Sequence, residues 1–174
     1  MLARYKNWVK NAEAPDEEDF CVLPFGADEK RKKALVNLGF SFVFLLLQIV
    51  AGSLNPSSSR TVWIFYPYIV VFLPIAYFFS GALFFMKATE RLSRKVWEKS
   101  LARCRHSGVA LLVLAAVNAL LELVFILLNR GEFSGWGFAS GAGRDVAYFA
   151  VFLCMTAVCV LYGIFFDRSF SKSE

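Results

Sequence analysis

The chain has 174 residues and a net charge of +5; 57% of its residues are hydrophobic, and nineteen are Phe. The apolar residues gather in four runs, each about 20 residues or longer and almost free of charge, the length a helix needs to cross a ~30 Å hydrocarbon core. Nothing in them supplies the polar faces of a soluble helical bundle, and the rest of the chain is too short for a separate soluble domain.

In lipid the backbone must satisfy its own hydrogen bonds, so the four runs are expected to be helices. The predicted fold class is all-α: a polytopic membrane protein with four transmembrane helices in a bundle, at residues 34–54, 62–86, 107–128 and 146–166. A polar arm (1–33) precedes them and a short tail (167–174) follows. Sixteen of the nineteen Lys and Arg residues lie in the arm, the middle loop and the tail, and only Arg60, Arg130 and Arg144 lie in the other two connections. Basic residues near span ends favour the cytoplasmic side, which predicts both termini inside a plasma or inner membrane. Because these residues flank spans instead of forming one groove, nucleic acid is not an expected partner.

In the arm, Leu2, Tyr5, Trp8, Val9 and Ala12 share one helical face, as a short helix at the inner headgroup surface would require. Asp28 is a candidate N-cap for a helix entering the first span. The arm has no cleavable leader pattern, so the first span is expected to act as an anchor. At spacings of three and four, that span carries the stripe Ala34, Asn37, Ser41, Phe44, Gln48, Ala51 and Asn55.

The connection Asn55–Arg60, "NPSSSR", is short and predicts a tight hairpin. The second span holds Pro67 and Pro74 as helix kinks, which free the carbonyls of Trp63 and Val70. Each is a static kink or a hinge. The middle loop, 87–106, reads as largely helical, with Ser93 able to cap a turn and Leu92, Val96, Trp97 and Leu101 forming a partial apolar stripe. Around that stripe Arg91, Arg94, Lys95, Lys99, Arg103 and Arg105 are expected to touch anionic inner-leaflet lipid, at roughly 1 kcal/mol per basic residue near the surface.

The third span contains Glu122, and its stripe runs Gly108, Leu111, Ala115, Asn118, Glu122, Phe125, Asn129. The opposite stripe, Val113, Val117, Leu120, Val124 and Leu127, is wholly aliphatic. Small and polar residues suit a helix neighbour and aliphatic ones suit lipid, so Glu122 is expected to face the bundle. "LLQIVAGSLN" at 46–55 lies over "LLELVFILLN" at 120–129, which matches Gln48 to Glu122 and Asn55 to Asn129. A tandem two-helix hairpin repeat would explain this, with the two units parallel about the membrane normal. The glycine-rich connection before the fourth span places Phe133, Trp136 and Phe138 at the outer interface.

A charged carboxylate near mid-membrane costs a few kcal/mol. In protonated form Glu122 could donate to Gln48, to Asn118 or to the carbonyl freed at Val70, with Tyr66, Tyr68 and Thr156 as further members of an intramembrane polar cluster. Two roles follow: packing through one interhelical bond, worth ~0.6–2 kcal/mol, or a proton or ligand site. No nucleophile, phosphate-loop or metal-ligand spacing occurs, and the four cysteines suit neither a disulfide nor a metal. The expected protein is non-enzymatic and needs no cofactor or metal. It is an accessory or scaffold component whose homo-oligomer or partner contacts use the stripes through Gln48 and Glu122. The alternative is a small transporter or channel built on Glu122.

Overall fold

A computed structural model describes residues 20–22, 27–88, 91–93, 98–129 and 141–170. The expected interfacial helix of the arm, the loop aromatics Phe133, Trp136 and Phe138, and the lipid-contact candidates Arg94 and Lys95 lie outside these residues.

The described elements are β1 (Phe20–Val22), α1 (Ala27–Ser53), a 3-10 turn (Ser57–Arg60), α2 (Val62–Val70), α3 (Phe72–Lys87), β2 (Arg91–Ser93), a π turn (Glu98–Ala102), α4 (Arg103–Leu128) and α5 (Gly141–Phe170). Four helical stretches are long and apolar enough to cross a membrane: α1, α2 with α3, the π turn with α4, and α5. The helices outrun the apolar runs that announced them. Asp28 and Glu29 stand in the first turn of α1, where negative charge complements the helix dipole. Asp28 is thus a helical residue and not the cap.

The second span is broken at Val71, between α2 and α3. Pro67 lies inside α2. Pro74 falls in the first turn of α3, where its missing N–H has no intrahelical partner to lose. The middle loop is helical over Glu98–Ala102 and on into α4, but Arg91–Ser93 departs from the helical expectation. Arg91–Ser93 is extended and pairs antiparallel with Phe20–Val22, in the register Phe20↔Ser93, Cys21↔Leu92 and Val22↔Arg91. Ser93 therefore belongs to a strand and caps no turn. The ladder gives backbone groups of the arm and the loop mutual partners.

The spans form an up-and-down ring. α1 packs on α3 and α5, and α4 packs on α2, α3 and α5. Among the described residues α1 and α4 share no packed face of this kind, so they stand diagonally across the bundle. The polar stripes face inward as their spacing required. Ala34, Asn37, Ser41, Phe44, Gln48 and Ala51 are buried, as are Gly108, Leu111, Ala115, Asn118 and Glu122. Val113, Val117, Leu120, Val124 and Leu127 are exposed, as lipid-facing aliphatics would be.

At the end of the bundle where α1 and α4 begin, the core is aromatic. Phe78 makes edge contacts with Phe44 (5.4 Å between centroids) and with Tyr162 (4.8 Å). Gly108 allows this packing, because a Cβ there would stand 2.9 Å from the Tyr162 ring. The same end is tied by cations. Lys30 donates to the Ala88 carbonyl. Lys33 donates to the Ser169 carbonyl at 3.0 Å and pairs with Glu29 at 3.0 Å. Arg103 lies over the Tyr77 ring at 4.9 Å, while Lys99 and Arg105 are exposed. Arg91 is held through its backbone in β2.

Candidate functional site

The opposite end of the bundle is polar. Glu122 lies on α4 about 9 Å before its last residue, at 1.5 Å per residue. It is 0% exposed. Asp145, in the first turns of α5, is also 0% exposed. The 3-10 turn connects the two acids. Asp145 Oδ1 accepts the backbone N–H of Ser57 at 2.6 Å and that of Ser58 at 3.4 Å. The Ser58 side chain, fully buried, adjoins the Glu122 carboxyl, and Asp145 lies within electrostatic range of it. Even so, Ser58 Oγ, both carboxyl oxygens of Glu122 and Asp145 Oδ2 reach no partner at hydrogen-bond geometry.

From Glu122 the cluster continues through tyrosines. Tyr148 lies within electrostatic range of both Glu122 and Tyr68, and the two rings are 6.3 Å apart. Tyr68 then locks to Gln48 by two reciprocal bonds. Gln48 Nε2 donates to the Tyr68 carbonyl at 2.9 Å, and the Tyr68 hydroxyl donates to the Gln48 carbonyl at 3.3 Å. Gly52 leaves room for this, since a Cβ there would overlap the Tyr68 hydroxyl. A half-open cavity of about 230 Å³, lined by Ala51, Gly52, Asn55, Tyr68 and Tyr148 among others, reaches the tyrosine pair from outside.

The residues singled out in the sequence are distributed as follows. Glu122, Gln48 and Tyr68 belong to this cluster, but Gln48 meets the Tyr68 carbonyl, not Glu122 or the Val70 carbonyl. The diagonal placement of α1 and α4 explains why, with the tyrosines filling the gap. Asn118 sits one turn below Glu122 and donates to the Leu114 carbonyl of its own helix at 2.8 Å, leaving its Oδ1 buried and unpartnered. Thr156 likewise bonds its own helix, at the Phe152 carbonyl. Tyr66 is 64% exposed and points away from the bundle. Pro67 and Pro74 flank the break at Val71 and add no side chain to the cluster.

Asp145, Ser57, Ser58 and Tyr148 were missed. The apolar run begins at Val146, which leaves Asp145 just outside it. One signal was available. Asp145, Tyr148, Phe152, Met155, Cys159, Tyr162 and Phe166 follow the three-and-four spacing of a single helical face, and all are buried. Extended backwards, that face includes Asp145 and makes Glu122 one of a pair. Among the described residues no three His, Cys, Asp or Glu side chains gather, and Cys104, Cys154 and Cys159 are free.

Comparison with protein-family profiles, with curated proteins and with solved structures gives no match.

Proposed function

We propose that this is a small integral membrane protein that binds a proton or a small cation at the Glu122–Asp145 pair and passes it through the bundle. The observation that carries this reading is the pair itself: two fully buried carboxyl groups around Ser58, with three of their four oxygens lacking a donor. Two carboxylates withdrawn from water and within electrostatic range do not both stay ionised without balancing positive charge, and Arg144, within electrostatic range of Asp145, offsets only one of the two. A proton or a cation supplies the remaining charge, and an exchangeable one makes the pair a transport site. Intramembrane acids in general mark such pathways.

A cavity beside Tyr68 and Tyr148 lies at the same end of the bundle; neither acid lines it and both are 0% exposed, so exchange with it would run by way of Tyr148, which lies within electrostatic range of Glu122. The bias of basic residues supports placing the aromatic end, with both termini, at the cytoplasm of a plasma or inner membrane, where Lys99, Arg103 and Arg105 would meet anionic lipid. The accessory or scaffold reading loses its proposed surface, because the stripes through Gln48 and Glu122 are buried within the chain's own bundle. No covalent chemistry is assigned to the protein.

The test is proton uptake into liposomes carrying the purified full-length protein and a trapped pH-sensitive dye, with and without a sodium gradient. The wild type is expected to equilibrate protons faster than empty liposomes. Glu122→Gln and Asp145→Asn should each abolish this while still inserting; the asparagine keeps the acceptor for the Ser57 and Ser58 N–H groups. Uptake that persists in both variants would refute the reading.

A further inference from the structure

Just beyond the acid pair, at the same end, lies a second cavity of about 280 Å³, lined by Asn55, Pro56, Ser57, Arg60 and Arg144. Two guanidinium-bearing residues from distant parts of the chain line it. Arg60 comes from the 3-10 turn and is exposed; Arg144 comes from the first turn of α5 and is half-buried. Two local features bring them together. Asn55 adopts a positive φ of 44°, a left-handed conformation that asparagine tolerates better than most residues, and it turns the chain toward α5. Gly141 then lets the start of α5 press against Ser57: a Cβ there would lie 2.6 Å from Ser57 Oγ.

Among the described residues the charge in this cavity is balanced only in part. Neither arginine forms an ion pair among the described residues. Asp145 lies within electrostatic range of Arg144 and offsets one of the two positive charges, which leaves the exposed Arg60 without a counter-ion among the described residues. Arg144 Nε is shut off from solvent and has no acceptor. A buried donor without a partner carries a desolvation cost. Guanidinium groups match carboxylate and phosphate oxygens in fork geometry, and the start of a thirty-residue helix adds favourable potential for an anion.

We infer that Arg60, Arg144 and Ser57 form an oxyanion-binding site of the phosphate class at this end of the bundle. It differs from the acid pair in ligand charge and in lining, and it stands whether or not protons move through Glu122. The phosphate chemistry has two sources, a soluble anion or the phosphodiester of a lipid headgroup.

The test uses the full-length protein in phosphatidylcholine nanodiscs. One arm measures binding of inorganic phosphate by equilibrium dialysis. The other measures retention of phosphatidylglycerol after delipidation, by native mass spectrometry. Arg60→Gln and Arg144→Gln are each expected to weaken the bound species about tenfold or more, since hydrogen bonds to charged groups are of that strength. Saturable phosphate binding lost in both variants assigns a soluble anion. Selective retention of phosphatidylglycerol lost in both variants assigns a lipid headgroup. Absence of both, or binding unchanged by the variants, overturns the site. Should Arg144→Gln fail to accumulate, Arg60→Gln decides alone, because its exposed side chain supports no packing.

Discussion

The two ends of this bundle are built on opposite principles. At one end Phe44, Phe78 and Tyr162 interlock edge to face, and Lys30 and Lys33 tie neighbouring chain ends by donating to the carbonyls of Ala88 and Ser169. At the other end Glu122, Asp145 and Ser58 are equally buried but leave oxygens without partners. Lipid tails are as apolar as the aromatic core, so no hydrophobic gain holds that core together; close packing does. The polar end is held only in part, by the Gln48–Tyr68 pair and by the Asp145 grip on the 3-10 turn. Unpartnered buried atoms occur at both ends, the Asn37 amide and the Tyr162 hydroxyl at the aromatic one; the difference is that, among the described residues, only the polar end buries acids.

That division predicts an ordering of stability effects. The largest should come from Phe78→Ala, which empties the centre of the aromatic end. Substitutions of this type cost about 3–5 kcal/mol in water-soluble cores, an upper bound here because only the lost packing counts in lipid; the cost is measured as the shift of the unfolding equilibrium in mixed micelles. A loss comparable to that of a surface change would show that the aromatic end is not the structural core. Gln48→Leu should come next, at about 0.6–2 kcal/mol for one interhelical bond, read by steric trapping in bicelles. It also leaves the Tyr68 carbonyl without that donor, so an unaltered protein would mean that the α1–α2 link contributes nothing. The smallest effect is expected from Glu122→Gln. The amide has nearly the shape of the acid and adds a donor facing Ser58. Its unfolding free energy in the same micelles should change by less than about 1 kcal/mol, while proton uptake disappears. A strongly destabilised Gln variant would place Glu122 among the structural groups and erase the contrast between the ends.

Much of the fold was legible because lipid imposes simple rules. Four apolar runs had to be helices, and the spacing of Asn37, Ser41, Gln48, Asn118 and Glu122 had to turn them inward. The loop between α3 and α4 was less legible. Outside the apolar runs the backbone has alternative partners, and Arg91–Ser93 takes one in β1 that lies far away in sequence. The candidate site was half legible. Glu122 stands out in an apolar run, whereas Asp145 stands beside Arg144 and next to a glycine-rich stretch, where a charged residue is ordinary.

The sequence by itself determined the number of apolar spans and the inward face of α1 and α4, because both depend on residues a few positions apart along one helix. Only the tertiary structure decided that Glu122 has a second acid beside it, that tyrosines separate it from Gln48, and that Arg60 and Arg144 share a cavity. Those are relations between residues far apart in the chain. They depend on the ring order of the helices and on the turn from Asn55 to Arg60, which no periodicity along a single helix records.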